Sequence, residues 1–597
     1  MSEYIAPIRD MRFVLKELAG VEQVAQLPGC EEATLDLVDA VLEEAARFAQ
    51  EVLSPLNWPG DQEGARWHDK AVTMPAGFKE AYKLFADSGW TALASEPEWG
   101  GQGLPKVVAA AVGEMWKSAN HSFSLCPLLT TGAIEALVLS GTDELKKTYL
   151  EKMVSGVWTG TMNLTEPNAG SDLAAVRTRA EPQADGSYRI FGQKIFITYG
   201  EHDMAENIIH LVLARTPTAP EGVKGISLFV VPKFMVNGDG SLGDRNDAYC
   251  VSIEHKLGIH ASPTAIMAFG DHSGAAGYLV GEENRGLEYM FIMMNAARFG
   301  VGLEGVAACE RAYQRARDYA RDRIQCTDIG VRGGPKVPII NHPDVRRMLM
   351  IMKSRAEATR ALAYVVAAAH DAASRHPDSE VRKHNQAFVD LMIPVVKGWS
   401  TESGVTIASI GVQVHGGMGY VEETGAAQHL RDAQISTIYE GTTGIQANDL
   451  IGRKMAREGG ATLKSVIAAM RALDADLAKQ NGANFAAIRS RFSSGVDALA
   501  EAGEWLVATY GADVRAASAG AVPFLTLLGI VAGGWQMARA ALIAQAKIDG
   551  GDNDPFYKAK VVTTRFYADH VLSQAAGLAS SVTEGAEGVL ALAEDMF

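Results

Sequence analysis

Cysteine is scarce: the 597 residues hold five (Cys30, Cys126, Cys250, Cys309, Cys326), an odd number never spaced as C-x-x-C. That pattern excludes a disulfide framework and a cysteine zinc site. No H-E-x-x-H and no G-x-S-x-G occurs, so zinc-protease chemistry and the nucleophile elbow of serine hydrolases lack their residues. Positive charge is also short, with 55 Lys and Arg against 71 Asp and Glu and a net charge of −16. Such a surface repels nucleic acid. The opening MSEYIAPIRDMRF has neither the basic and apolar regions of a secretory signal nor the Arg/Ser bias of a transit peptide, which predicts a cytoplasmic protein. Long apolar runs are nearly missing. The exception, Ala516 to Ala538, carries no charge over 23 residues. It is nominally long enough for a bilayer, but Gly520 and Pro523 interrupt its first third. A buried helix is expected there, with Gly529 and Gly533 serving close packing, and no membrane contact.

The composition that remains, 47% hydrophobic and 21% charged, is that of a globular protein. Its length predicts about three to five structural units. Residues 1–160 pattern as helices with no convincing strand. Between Trp158 and Val280 the chain changes to short β-branched runs, YRIFGQKIFIT, NIIHLVLART, GISLFVVPKF, AYCVSIEHK and TAIMAF, with a hairpin signal at Asp185-Gly186. From Leu287 to Cys326 helical spacing continues without proline, enough for about 60 Å. Pro343 to Arg375 repeats this with Asn341 as a plausible cap, and a third helix, Ser379 to about Ile410, is expected to kink at Pro394. The fold class is therefore mostly α with a β-domain. We expect an N-terminal helical domain (1–160), a middle β-barrel (161–282), a C-terminal four-helix bundle (283–455) and a helical extension (456–597).

Few motifs speak for chemistry alone. Gly300-Val301-Gly302-Leu303-Glu304-Gly305 spells the dinucleotide fingerprint, but it lies within a helical stretch instead of after a strand, so we read close helix packing. MNLTEPNAGSDL (Met162 to Leu173) groups hydroxyls, a carboxylate and small residues, suited to a polar ring edge or a phosphate, and equally to a plain polar loop. KIFIT offers Phe196 to a flat ring and Thr198 as a hydrogen-bond partner, or is an ordinary strand. QVHGGMGY lets a ligand approach its backbone, or merely joins helices. His415 has no second ligand at metal spacing, so no metal is expected. In IYEGTTGIQ, Glu440 stands on a glycine-flanked hinge where a raised pKa would suit a general base, although most loop glutamates are simply solvated.

Taken in order, LTEPNAGSD, KIFIT, YARDRIQ, QVHGGMGY and HLRDAQISTIYEGTTGIQ resemble the acyl-CoA dehydrogenase family across its three-domain core. The length, the PIRDMRFVLKEL opening and the extension are similar to a long subgroup that includes 3-methylmercaptopropionyl-CoA dehydrogenases. The resemblance implies FAD as cofactor, an acyl-CoA substrate, a homo-oligomer, dimeric in this reading, that shares its FAD sites, and an electron-transfer flavoprotein as acceptor. Glu440 would be the catalytic base. Met162, Leu164, Thr165, Gly170, Ser171, Phe196, Ile197 and Thr198 would line the flavin. Arg323, Gln325, Gln413, Gly416 and Gly417 would hold the pyrophosphate and adenosine of the partner subunit's FAD, and Thr442 and Gly444 would complete the site. Ser171, Arg298, Tyr439 and Gly441 would meet the substrate. Three departures from the family pattern stand out. Phe196 replaces a common tryptophan, Asn168 replaces a common glycine, a change Asn tolerates because it visits left-handed backbone conformations, and Cys326 to Val337 is longer than the usual loop.

The implied reaction is α,β-dehydrogenation of a thioester, of 3-(methylthio)propanoyl-CoA or a straight-chain acyl-CoA. A nitroalkane oxidase would share the fold but typically carries aspartate at position 440. A DNA-associated relative of the alkylation-response type would need a basic surface, yet residues 456–597 hold 12 Lys and Arg against 15 Asp and Glu.

Overall fold

A computed structural model describes residues 4–597. It divides into two compact units, one of residues up to Ala46, Pro105–Ser118 and Arg298–Phe597, the other of Arg47–Leu104 and Ala119–Ala297.

The second unit is built on a sheet. A small exposed hairpin, β1 (Arg66–His68) and β2 (Ala71–Thr73), precedes it, in a region where no strand is expected. Its turn residues Asp69 and Lys70 both take positive φ without glycine, which is why no turn signal shows. The main sheet comprises β3 (Trp158–Asn163), β4 (Arg179–Pro182), β5 (Tyr188–Thr198), β6 (Asn207–Ala214), β7 (Ser227–Pro232), β10 (Ala248–Ile253), β11 (Thr264–Phe269) and β12 (Ala275–Val280), while β8 (Phe234–Val236) and β9 (Leu242–Arg245) form a separate hairpin. The order is β10-β11-β5-β12-β7-β6-β3, with β4 on β5. Asp185 and Gly186 turn β4 into β5 as their spelling predicts, with Pro182 opposite Tyr188. β3 pairs parallel to β6 and is buried along its length, so it lacks the alternation that marks a half-exposed strand. The helices His121–Ser140 and Asp143–Val154 supply Ala133, Leu137, Leu150 and Met153 to a core shared with Trp158, Leu211 and Val230.

The first unit is helical. Its longest elements are Gly286–Asp322, which begins in the other unit, Pro343–Arg375 and Ser379–His415. Pro343 starts its helix as expected, but His342 is the flanking residue and Asn341 caps nothing, donating instead to the Pro338 carbonyl at 3.2 Å. Gly302 and Gly305 have the packing role: a Cβ on Gly305 would stand 2.3 Å from the Ser400 carbonyl carbon, and one on Gly302 2.7 Å from Val396. The 286–322 and 379–415 helices therefore touch backbone to backbone. The apolar run also behaves as a core helix. The chain breaks at Gly520, Pro523 sits in the first turn of Ala521–Asp549, and a Cβ on Gly529 would lie 2.3 Å from Trp399. This helix and His121–Ser140 are long and apolar enough to cross a membrane, and most of each is buried within the protein.

A buried ion cluster ties the helical unit together. Arg360 donates to both oxygens of Glu114, to Asp10 at 2.8 Å and to Glu310 at 2.7 Å, and the Tyr364 hydroxyl donates to Glu114 at 2.7 Å. Lys560, from Pro555–His570, contacts Asp10 and Glu357. Burial opposes the charge on Asp10, but Lys560 and Arg360 outweigh it and hold its carboxyl well below the usual range. One network thus joins the N-terminal segment, the 106–119, 286–322 and 343–375 helices, and the extension.

Candidate active site

Within the sheet unit, two of the sequence motifs are stapled together. Glu166 is buried and accepts from Lys194 Nζ at 2.8 Å, Thr178 Oγ1 at 2.6 Å and the Arg177 and Thr178 amides. Lys194 also donates to the Leu164 carbonyl, and the Ile195 amide to that of Thr165. Burial pushes Lys194 down to about 8 against the pull of Glu166, while Glu166 stays below its ordinary value because Lys194 and Thr178 outweigh its own burial. The carboxylate of LTEPNAGSD is therefore structural, and what the loop can offer outward is Thr165, Gly170 and Ser171. Asn168 has no need of left-handed backbone here; its side chain donates to the Ala175 carbonyl at 3.1 Å.

The Lys194–Thr198 segment is not an ordinary strand. Lys194 lies opposite Met267 and Ile197 opposite Ala265, so two residues face one and the strand bulges. Phe196 sits in that bulge at φ +59° and is 59% exposed. A left-handed aromatic that presents its ring to solvent is costly on both counts. It forms a flat apolar platform. Thr198 is partly exposed beside it, whereas Leu164 and Ile197 bury their side chains and can offer a ligand only backbone.

In the helical unit, Glu440 occupies a hinge between Ala426–Gln434 with its following turn and the short helix Thr443–Asn448, which Thr442 caps by accepting from the Ile445 amide. Glu440 and Gly441 take φ of +55° and +88° in succession. That corner is held from several sides. Gln446 Nε2 donates to the Glu440 and Gly441 carbonyls at 3.1 and 3.2 Å, Lys397 Nζ donates to the Gly441 carbonyl at 2.7 Å, and the Tyr439 hydroxyl donates to Glu304 at 2.5 Å. Thr443 donates to Glu402 at 2.6 Å. Among the described residues neither the Glu440 carboxylate nor its amide N–H has a hydrogen-bond partner. Burial pushes the carboxyl up to about 7, with Arg298 and Lys397 pulling down and Glu304 pushing up. A carboxyl poised near neutrality, with no partner and on a strained hinge, has the attributes of a general base. Arg298, expected beside the substrate, is buried and pairs with Asp449 at 3.2 Å, leaving its Nε without a partner.

Met162 lies in β3 and Gly444 in the Thr443–Asn448 helix, while the residues predicted for the adenosine end of FAD collect at the far ends of the long helices. Tyr319 stacks on His415 at 4.3 Å, which brings those ends side by side. His415 donates from Nδ1 to the Gly411 carbonyl and is held neutral by burial, a structural role. Around this stack Arg323, Gln325, Gln413, Gly416 and Gly417 are all exposed, and nothing stands within 4 Å of a Cβ built on either glycine. The long segment after Gln325 is a ribbon, β13 (Ile324–Thr327) against β14 (Lys336–Pro338). Three groups around the base escaped sequence reasoning: Glu304, concealed in the false dinucleotide motif, Gln446, and Lys397. A solitary lysine in LMIPVVKGW was the available signal.

Models of acyl-CoA dehydrogenase domains match residues 38–157 (N-terminal), 161–271 (middle) and 284–455 (C-terminal), and an acetyl-CoA dehydrogenase C-terminal-like model matches 461–593. The chain belongs to the acyl-CoA dehydrogenase family. It is 50% identical to 3-methylmercaptopropionyl-CoA dehydrogenase of Ruegeria pomeroyi over 98% of this chain and 99% of that protein. It is 36% identical to the broad-specificity linear acyl-CoA dehydrogenase FadE5 of Mycobacterium tuberculosis, covering 96% of each. In fold it matches an acyl-CoA dehydrogenase from Bacillus anthracis complexed with FAD, with a TM-score of 0.73 at 21% identity, over 98% of this chain and 92% of that one. Membership makes it a flavoprotein oxidoreductase that uses FAD. The exposed Phe196 platform and the open glycines at 416 and 417 fit a flat ring and a close-lying phosphate chain.

Proposed function

We propose that this acyl-CoA dehydrogenase converts an acyl-CoA to its 2,3-enoyl-CoA with Glu440 removing the α-proton. The observation that carries the assignment is the partnerless Glu440 carboxyl, pushed up to about 7 on a left-handed hinge. An α-C–H beside a thioester is a weak acid, so the base must be ionised near neutrality and the developing enolate oxygen needs a donor. The unused Glu440 N–H, on the same hinge, is that donor, and Arg298 keeps positive charge near the carboxylate. FAD, when bound, supplies the acceptor for the β-hydride. Phe196 and Thr198 would cover the flavin and bond its edge, with Met162, Leu164, Thr165, Gly170, Ser171 and Ile197 lining it, Ser171 also on the substrate side. Thr442 and Gly444 would also contact FAD, and Tyr439 and Gly441 would flank the thioester. Arg323, Gln325, Gln413, Gly416 and Gly417 would hold the adenosine end of FAD belonging to a second copy, which makes the functional protein a homodimer.

The substrate we favour is 3-(methylthio)propanoyl-CoA, on the 50% identity to the Ruegeria enzyme, with short to long straight-chain acyl-CoAs as the broader class. An electron-transfer flavoprotein as acceptor, a cytoplasmic location, a place in β-oxidation and the four-domain division at 160, 282 and 455 belong to the same proposal. Purified holoenzyme should lose its flavin colour on anaerobic addition of one or more members of an acyl-CoA panel, and Glu440→Gln should slow that bleaching at least a thousandfold. Bleaching by Glu440→Gln at the wild-type rate would remove Glu440 from the reaction.

A further inference from the structure

The close helix crossing made by Gly302 and Gly305 has a chemical result. Because Gly302 lies against Val396 and Gly305 against Ser400, the residues between them, Glu304 on one helix and Lys397 on the other, are brought into one buried space beside the hinge. Lys397 is fully buried, and its only hydrogen bond among the described residues goes to a neutral group, the Gly441 carbonyl, at 2.7 Å. Among the described residues no carboxylate lies within ion-pair reach of it. A buried ammonium without a paired carboxylate is expensive.

We infer that Lys397 is the positioning residue for Glu440: it locks the left-handed Glu440–Gly441 corner through the Gly441 carbonyl and lends the carboxyl a positive neighbour that keeps it ionisable at neutral pH. The inference rests on Glu440 being the base. The charges facing Lys397 are Glu304 and Arg298 from the 286–322 helix, Glu402 from its own helix, and Glu440 itself. Lys117, from the 106–119 helix, also faces Glu304. Burial lowers Lys397 to about 8, with Glu304 and Glu440 opposing, so it remains charged at pH 7. Lys397 and Glu304 act on the base with opposite sign. Glu304 also clamps Tyr439, the residue before the base, so the two groups bracket the hinge from both ends.

The opposition supplies the test. In the FAD-loaded protein, the Glu440 carboxyl is titrated by infrared difference spectroscopy, its band assigned by its disappearance in Glu440→Gln. The same variants are followed by the pH dependence of flavin reduction with butanoyl-CoA. Lys397→Met should move the Glu440 midpoint up by about one pH unit, leaving about tenfold less ionised base at pH 6, while Glu304→Gln, which keeps an acceptor for Tyr439, should move it down. Flavin content and unfolding temperature are measured alongside, and Glu304→Gln keeps the inference testable if Lys397→Met folds poorly. Opposite shifts support it. Unchanged midpoints, or shifts in the same direction, would reduce Lys397 to a packing residue. Wild-type turnover by Glu440→Gln would instead sink the base assignment, while the infrared midpoints still report whether Lys397 acts on that carboxyl.

Discussion

At pH 8 Glu440 is a carboxylate in surroundings that disfavour its charge, so Glu440→Gln should make the protein more stable while removing its activity. The folded-state pKa is raised, from an ordinary 4.5 to about 7. Below about pH 4.5 the carboxyl is protonated in both folded and unfolded chains and costs nothing. Between 4.5 and 7 the unfolded chain releases a proton that the folded one keeps, and the cost of holding Glu440 rises with pH until it is complete above about 7. That gap corresponds to about 3 kcal/mol at ~1.4 kcal/mol per pH unit, and because Glu440 retains some contact with water we take roughly 1–3 kcal/mol. For units of this size about 1 kcal/mol moves the unfolding temperature by about 1 °C. Glutamine fills the same space with no charge. Thermal unfolding of wild type and Glu440→Gln, both at saturating FAD, should coincide near pH 4.5 and separate by roughly 1–3 °C in favour of the variant at pH 8. Equal offsets at the two pH values, or a less stable variant at pH 8, would refute the claim that burial raises this carboxyl.

Arg360→Met should destabilise the helical unit by about 3–5 kcal/mol, because Glu114, Glu310 and Asp10 would lose their shared cation; denaturant unfolding should show a lower midpoint. Gly305→Ala should cost about 1–3 kcal/mol or more by forcing the 286–322 and 379–415 helices apart, and a thermal scan that matched wild type would contradict the close crossing. Phe196→Ala, at an exposed position, should leave the stability of the FAD-free protein within about 0.5 kcal/mol of wild type. The same change should weaken FAD retention by about 3- to 10-fold, read by equilibrium dialysis, through loss of an aromatic contact worth about 0.5–1.5 kcal/mol.

Legibility followed the range of the interaction that decides each feature. The 343–375 helix is marked by Pro343 in its first turn and by continuous 3.6-residue spacing, both local signals. The β4–β5 hairpin announces itself through Asp185-Gly186. By contrast, β3 is buried on both faces and paired in parallel with a strand more than forty residues away, so its residues carry no alternation to read. The β1–β2 turn uses Asp69 and Lys70 in conformations that sequence statistics assign to glycine and asparagine.

The candidate site divides in the same way. Sequence order alone was enough to recognise the family motifs, to single out Glu440 and to reject the dinucleotide reading of residues 300–305, because each depends on residue types and their spacing along the chain. What Glu166, Lys397 and Glu304 do depended on partners between 11 and 135 positions distant, and only the folded chain supplies them. The raised pKa of Glu440 belongs to that second class: burial and the neighbouring charges of Arg298, Lys397 and Glu304 act through space, and no pattern in IYEGTTGIQ encodes them.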